Sequence, residues 1–298
     1  MGYHTPVLLN ECIEGLNIQP SGNYVDVTFG GGGHAAVMLE HLEDGHLFAF
    51  DQDADAARNA FDDSRFTLIP QNFKYLKNFL SFYKATPVDG ILADLGVSSH
   101  QFDSAERGFS IRFDGPLDLR MDASKGQSAA DLVNTADFAS LARILRMYGE
   151  LKNPGKAANA IISARDAQAI TTTEELKAAL KSCATRGKEN KYFAQVFQAL
   201  RIEVNAELEA LEAMLKQSLE VLKPGGRLVV MSYHSLEDRL VKNFIKSGNF
   251  EGKIEKDFFG KANLPFHRIS RKPIIANEEE IARNPRARSA KLRIAEKI

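Results

Sequence analysis

The chain has 298 residues, 44% of them hydrophobic and 26% charged, with a formal net charge of −1. This is ordinary globular composition, sized for one large domain or two smaller ones, and it excludes a uniformly cationic protein. No apolar run approaches the roughly 18 residues of a membrane span.

The opening Met1-Gly2-Tyr3-His4-Thr5-Pro6 lacks the basic region and apolar core of an export signal, so a cytoplasmic protein is expected. Met1-Gly2 begins like a myristoylation site, but Pro6 stands where that signal needs Ser or Thr. Residues 4–19 read as a lead-in with a helix, and Pro20 and Gly22 punctuate a turn. The stretch Tyr24-Val25-Asp26-Val27-Thr28-Phe29 is a first strand, and it runs into four consecutive glycines, Gly30 to Gly33. A helical pattern follows at His34, Ala35, Ala36, Val37, Met38 and Leu39. Strand, glycine turn and helix in this order build a ligand cradle: glycine lets a ligand approach the backbone, and the new helix points unpaired N–H groups at it.

A second strand, His46-Leu47-Phe48-Ala49-Phe50, ends in Asp51. An acid about 20 residues after the first glycine is the usual ribose-hydroxyl acceptor of a nucleotide fold. Gly30, Gly32 and Ala35 satisfy G-x-G-x-x-A, so a dinucleotide and an adenosyl ligand both fit. Asp26 favours S-adenosylmethionine, because a carboxylate just before the turn attracts a cationic amino-acid end and repels a pyrophosphate.

Residues 53–59 read as a helix capped by Asp53 or Asp55, and Phe66-Thr67-Leu68-Ile69-Pro70 as a third strand. Phe73, in the loop beyond, is either a platform for a flat ring or a core residue. The fourth strand, Val88-Asp89-Gly90-Ile91-Leu92-Ala93-Asp94, again ends in an acid. Three carboxylates then stand at strand ends, the edge where an open α/β sheet holds its ligand.

Past Ser104 the pattern turns irregular, then helical, with segments over 136–148, 154–168 and 173–184. Residues 104–198 are therefore expected to form a helical insertion domain in an α/β domain made of 1–103 and 199–298. Apolar residues at helical spacing, Leu208, Leu211, Leu215, Leu219 and Leu222, predict one helix over 202–222. A fifth strand, Arg227-Leu228-Val229-Val230-Met231-Ser232, leads to Tyr233-His234-Ser235-Leu236-Glu237-Asp238, where Ser235 and Asp238 resemble a capping box for a helix over 236–245. Two short edge strands are expected over 267–275 and 289–295. The last 32 residues carry nine Lys or Arg against four Glu, a basic end suited to an anionic polymer. Cys12 and Cys183 form no metal or redox spacing and are expected as buried thiols in a reducing compartment. The seven histidines form no ligand spacing, so no metal is expected.

Several stretches together resemble the bacterial small-subunit ribosomal RNA cytosine-N4 methyltransferases. They are Thr5-Pro6-Val7-Leu8-Leu9, Thr28-Phe29-Gly30-Gly31-Gly32-Gly33-His34, Asp94-Leu95-Gly96-Val97-Ser98-Ser99 and Glu106-Arg107-Gly108-Phe109-Ser110. Gly115-Pro116-Leu117-Asp118-Leu119-Arg120-Met121-Asp122, Tyr233-His234-Ser235-Leu236-Glu237-Asp238-Arg239 and Asn284-Pro285-Arg286-Ala287-Arg288-Ser289-Ala290-Lys291-Leu292-Arg293 complete the set, in family order. The resemblance implies a doubly wound, Rossmann-like class I fold with a helical insert. It implies S-adenosylmethionine as cofactor and a decoding-region cytidine of 16S rRNA, free or in the small subunit, as substrate. It also implies cofactor contacts at Gly32, Gly33, His34, Asp51, Phe73, Asp94 and Gln101. One segment departs: Leu151-Lys152-Asn153-Pro154-Gly155-Lys156 replaces the family's usual Arg-rich run.

A cytosine amine is a poor nucleophile, so transfer needs in-line placement and acceptors for the amine protons. The Pro-Pro-aromatic element that often follows the fourth strand for this purpose is missing. Tyr233, His234 and Ser98 are the candidate catalytic side chains, Tyr233 by stacking on an extruded base. Two alternatives remain open on sequence: a dinucleotide-dependent oxidoreductase and a non-catalytic RNA-binding protein. A homodimer is compatible with the sequence.

Overall fold

A computed structural model describes residues 6–298, apart from the side chain of Ser99. The Met1-Gly2 opening and Thr5 of the first resembling stretch lie outside the described residues. In chain order the first elements are α1 (Leu9–Leu16), β1 (Asn23–Asp26), α2 (Gly33–Glu40), β2 (His46–Phe50), β3 (Phe66–Ile69), α3 (Leu76–Phe82) and β4 (Val88–Asp94). Helices α4 (Ser99–Asp103), α5 (Ala129–Thr135), α6 (Phe138–Met147), α7 (Pro154–Ala167), α8 (Thr173–Leu180) and α9 (Glu189–Asn205) follow. The chain closes with α10 (Glu207–Val221), β5 (Leu222–Ser232), α11 (Ser235–Ser247), β6 (Phe266–Arg268), α12 (Glu278–Arg283) and β7 (Lys291–Lys297). Two compact units result: Met1–Gly96 with Leu208–Ile298, and Val97–Glu207. The second starts before and ends after the 104–198 span read from the sequence.

The first unit is built on a seven-stranded sheet in the order β3-β2-β1-β4-β5-β7-β6. Strands β1 to β5 run parallel, and β7 is antiparallel to both β5 and β6. Parallel strands covered on both faces read as unbroken apolar runs, which is why Leu47-Phe48-Ala49-Phe50 shows no polar alternation. Alternate residues feed opposite faces. Val25, Phe48, Phe50, Ile91, Ala93, Leu228 and Val230 enter one core; Tyr24, Leu47, Ala49, Leu92, Val229 and Met231 enter the other. Strand order reverses between β1 and β4, and an open α/β sheet binds ligands at that point, beyond the carboxyl ends of its strands.

Three expectations are corrected. The C-terminal strand is no edge: β7 lies between β5 and β6, because Leu292 and Ile294 bury in one core and Ala295 in the other. The strand expected over 267–275 shortens to Phe266–Arg268. The single helix over 202–222 breaks at Ala206, whose φ is 48°. The cause is Asn205, which closes α9 by binding the insert loop. Its side-chain amide donates to the Leu119 carbonyl at 2.7 Å and accepts from the Met121 N–H at 2.7 Å.

The second unit is helical around its own core, which includes Leu132, Leu141, Ile144, Leu145, Ile161, Leu176, Val196 and Leu200. Side chains define its helix starts: Ser128 with Asp131 and Thr172 with Glu175 form reciprocal capping boxes. The departing segment 151–156 has a structural use here. Pro154 opens α7, and Asn153 donates to the Cys183 carbonyl at 3.0 Å and accepts from the Tyr192 hydroxyl at 3.1 Å. Both cysteines are buried free thiols.

Candidate active site

The glycine loop leaves β1 and turns into α2. Gly32 has φ 75°, a left-handed conformation that a side chain resists, and it is the N-cap of α2 with no side-chain cap. Gly33 is required by packing, since a Cβ there would lie 2.5 Å from Pro6 Cγ. A Cβ at Gly31 would meet nothing within 4 Å. The loop thus combines a packed side with an open one and helix-start N–H groups that no side chain caps, which suits close approach of a ligand.

Asp51 follows β2 and braces this loop. Its Oδ2 accepts from the Gly30 N–H at 2.7 Å, and its Oδ1 from the Asp53 N–H at 2.8 Å. Each carboxylate oxygen has a second lone pair, so a ribose hydroxyl can be accepted without breaking either bond. Replacing Asp51 with Ala is expected to weaken S-adenosylmethionine binding about tenfold, the value of one charge-assisted hydrogen bond. Titration calorimetry checks it, and an unchanged affinity removes Asp51 from the site.

The end of β4 carries a second constellation. Asp94 donates its N–H to Thr28 Oγ1 at 2.7 Å, and its Oδ1 accepts from the Tyr233 hydroxyl at 2.8 Å. Its Oδ2 lies 3.7 Å from His34 Nδ1. His34 Nε2 is 3.1 Å from the Val7 carbonyl, which only accepts, so the ring proton sits on Nε2 and Nδ1 faces Asp94. Burial raises the Asp94 carboxyl to about 7, against the lowering effect of the Tyr233 hydroxyl. Burial pushes His34 down, so its imidazole is neutral, and pushes the Tyr233 phenol well up, so it stays a donor.

Asp26, expected to reach the cationic end of the cofactor, is closed off in the structure. It is 1% exposed, and its Oδ1 accepts from both the N–H and the hydroxyl of Thr28 at 2.9 and 3.3 Å. Burial pushes its carboxyl up. Asp94, whose side chain is 25% exposed, is the acid that a cationic ligand can reach.

The remaining candidates divide. Phe73 is half-buried against the sheet core, on the loop whose Asn72 donates to Gln52 Oε1 at 2.8 Å. Ser98 and Gln101, in the second unit, cap α4 reciprocally: Ser98 Oγ accepts from the Gln101 N–H, and Gln101 Oε1 from the Ser98 N–H. The capping box expected of Ser235 and Asp238 is instead made one residue earlier, by His234 and Glu237. His234 Nδ1 accepts from the Glu237 N–H at 3.4 Å, while Glu237 Oε2 accepts from the Tyr233 N–H at 2.9 Å. Asp238 is instead spent on Arg293, at 2.7 Å. Thr28 and Glu237 were not singled out in the sequence. Glu237 had a signal there, as an acid three residues after a side chain able to cap; the link of Thr28 to Asp94 spans 66 positions and had none.

All of the chain, residues 1–298, matches the model of the MraW methylase family. The chain belongs to the MraW methylase family. It is 58% identical over 296 residues to the ribosomal RNA small subunit methyltransferase H of Phocaeicola vulgatus, covering 99% of this chain and 97% of that protein. The protein of the same name from Parabacteroides distasonis is 56% identical over 298 residues, with 99% and 98% covered. That from Cytophaga hutchinsonii is 57% identical over 297 residues, with 99% of each covered. This MraW-family chain is a methyltransferase, and its methyl donor is S-adenosylmethionine. The residues present fit that group: an open glycine loop, the strand-end carboxylate of Asp51 beside it, and a second strand-end acid, Asp94, that is partly exposed. Neither alternative, oxidoreductase or non-catalytic binder, finds support in these relatives. No described helix is long and apolar enough to cross a membrane.

Proposed function

We propose that the protein methylates the exocyclic N4 amine of a cytidine in the decoding region of 16S rRNA. The observation that carries this is identity of 56–58%, over essentially the whole chain, to proteins named for small-subunit ribosomal RNA methylation. The bound donor supplies an electrophilic methyl group on a cationic sulfonium. In this reading Gly32, Gly33 and His34 shape the loop that receives the donor, Asp51 accepts from its ribose, and Phe73 lies against its base. Asp94, once ionised, attracts its positive charge. Gln101 keeps the cofactor role that the family resemblance assigns it. The helical unit recognises the RNA.

Tyr233 has two assignments. Its ring offers a face to an extruded base, and its hydroxyl holds Asp94. His234 and Ser98 are the other polar side chains proposed for the chemistry, and both also cap helices. The test is transfer of tritiated methyl groups to small subunits from a strain lacking the gene, followed by identification of the product nucleoside. N4-methylcytidine is the expected product; labelling on another nucleoside, or none, defeats the reading.

A further inference from the structure

Of the nine cations in the basic C-terminal segment, Lys291, Arg293 and Lys297 are held by the fold. Arg293 and Lys291 flank Asp238 at 2.7 and 3.5 Å, and Lys297 Nζ donates to the Leu219 and Leu222 carbonyls at 2.6 Å. Two others, Arg268 and Arg271, join two lysines of α11 in an open basic cluster. A cavity of about 230 Å³ lies between α11 and β6, lined by Lys242, Lys246, Arg268 and Arg271, with Ser270 and Arg293. Lys242 and Lys246 are one helical turn apart on α11, and α11 packs on β6. Lys242, Lys246, Arg268 and Arg271 are all exposed. Among the described residues no carboxylate pairs with any of the four; Lys246 reaches only the Gly252 carbonyl, at 3.1 Å.

We propose that this cavity is a phosphate cradle for the backbone of the RNA substrate, remote in sequence from the glycine loop. The proposal rests on the rRNA reading above. Four unpaired cations around one concavity repel each other, and an anion entering it relieves that repulsion. Arg268 and Arg271 offer forked donors for phosphate oxygens, and the lysines offer point charges. Charges on an edge strand also deter edge-to-edge pairing, but that accounts only for Arg268 and not for two lysines on the neighbouring helix. The cluster spans a helix and a strand, which suits a polymer backbone.

The experiment compares wild type with the triple variant Lys242→Gln, Arg268→Gln, Arg271→Gln. Binding of a decoding-region RNA fragment is followed by fluorescence anisotropy across a salt series. Each lost phosphate contact is expected to lower the salt slope by about 0.7–0.9, so by roughly 2 to 3 in total, with affinity at low salt down at least tenfold. Affinity for S-adenosylmethionine and melting temperature should be unchanged. Unaltered slope and affinity in a folded triple variant overturn the cradle, as does absence of RNA binding by wild type. If the triple variant does not fold, Lys242→Gln alone decides, by a slope lower by about 0.7–0.9 or not. Methyl transfer by wild type is scored separately. If wild type methylates no rRNA but the slope still falls, the functional reading fails and the cradle stands.

Discussion

Asp94→Asn is expected to weaken S-adenosylmethionine binding by roughly ten- to a hundredfold well above neutral pH, and to leave the fold intact. The estimate follows from a charge-assisted contact of about 1.5–3 kcal/mol. The fold should survive because an amide oxygen can still accept from the Tyr233 hydroxyl, and the backbone N–H still reaches Thr28 Oγ1. The wild-type carboxyl is raised by burial to about 7, so the apo protein holds a proton there that the unfolded chain has released. Its contribution to stability is therefore fully present below the ordinary carboxylate range and is lost as pH rises through about 7. Donor affinity runs the other way: a cation prefers the ionised acid, so binding should tighten as pH rises through the same range. The Asn variant should flatten both trends. Calorimetric titrations and melting curves across pH check this; a variant that keeps the wild-type pH dependence places the titrating group elsewhere.

Tyr233→Ala is expected to slow single-turnover methylation by roughly ten- to a thousandfold with saturating RNA and donor. The ring is proposed to stack on the target base, worth about 1–3 kcal/mol, and the hydroxyl favours the ionised form of Asp94 against the effect of burial. Tyr233→Phe separates the two. It keeps the ring but removes the hydrogen bond that opposes the effect of burial on Asp94. The Asp94 carboxyl is then pushed higher still. The rising limb of kcat/KM against pH, which reports the free enzyme, should move to higher pH. Activity lost near neutrality should return at higher pH in Tyr233→Phe but not in Tyr233→Ala. Wild-type rates in both variants would leave Tyr233 as a residue that only leads into α11.

The α/β class, the glycine turn, the acids at three strand ends and the helical insert were all legible in the amino-acid order. These are local signals. Period and glycine placement are dictated by backbone geometry and by which face is buried, and Asp51 and Asp94 follow directly from where their strands stop. Which of those acids stays accessible depended on long-range packing. Asp26 and Asp94 look equivalent as strand-end carboxylates, yet Thr28, held between the two strands, closes over Asp26 while Asp94 stays partly exposed. The same holds for the basic end. Lys291, Arg293 and Lys297 read as free cations until β7 inserts between β5 and β6 and brings them to Asp238 and to the carbonyls of Leu219 and Leu222, where α10 meets β5. Pairings across 53 to 78 positions leave no trace in local pattern, because they depend on strand order, which is settled by burial of the whole sheet.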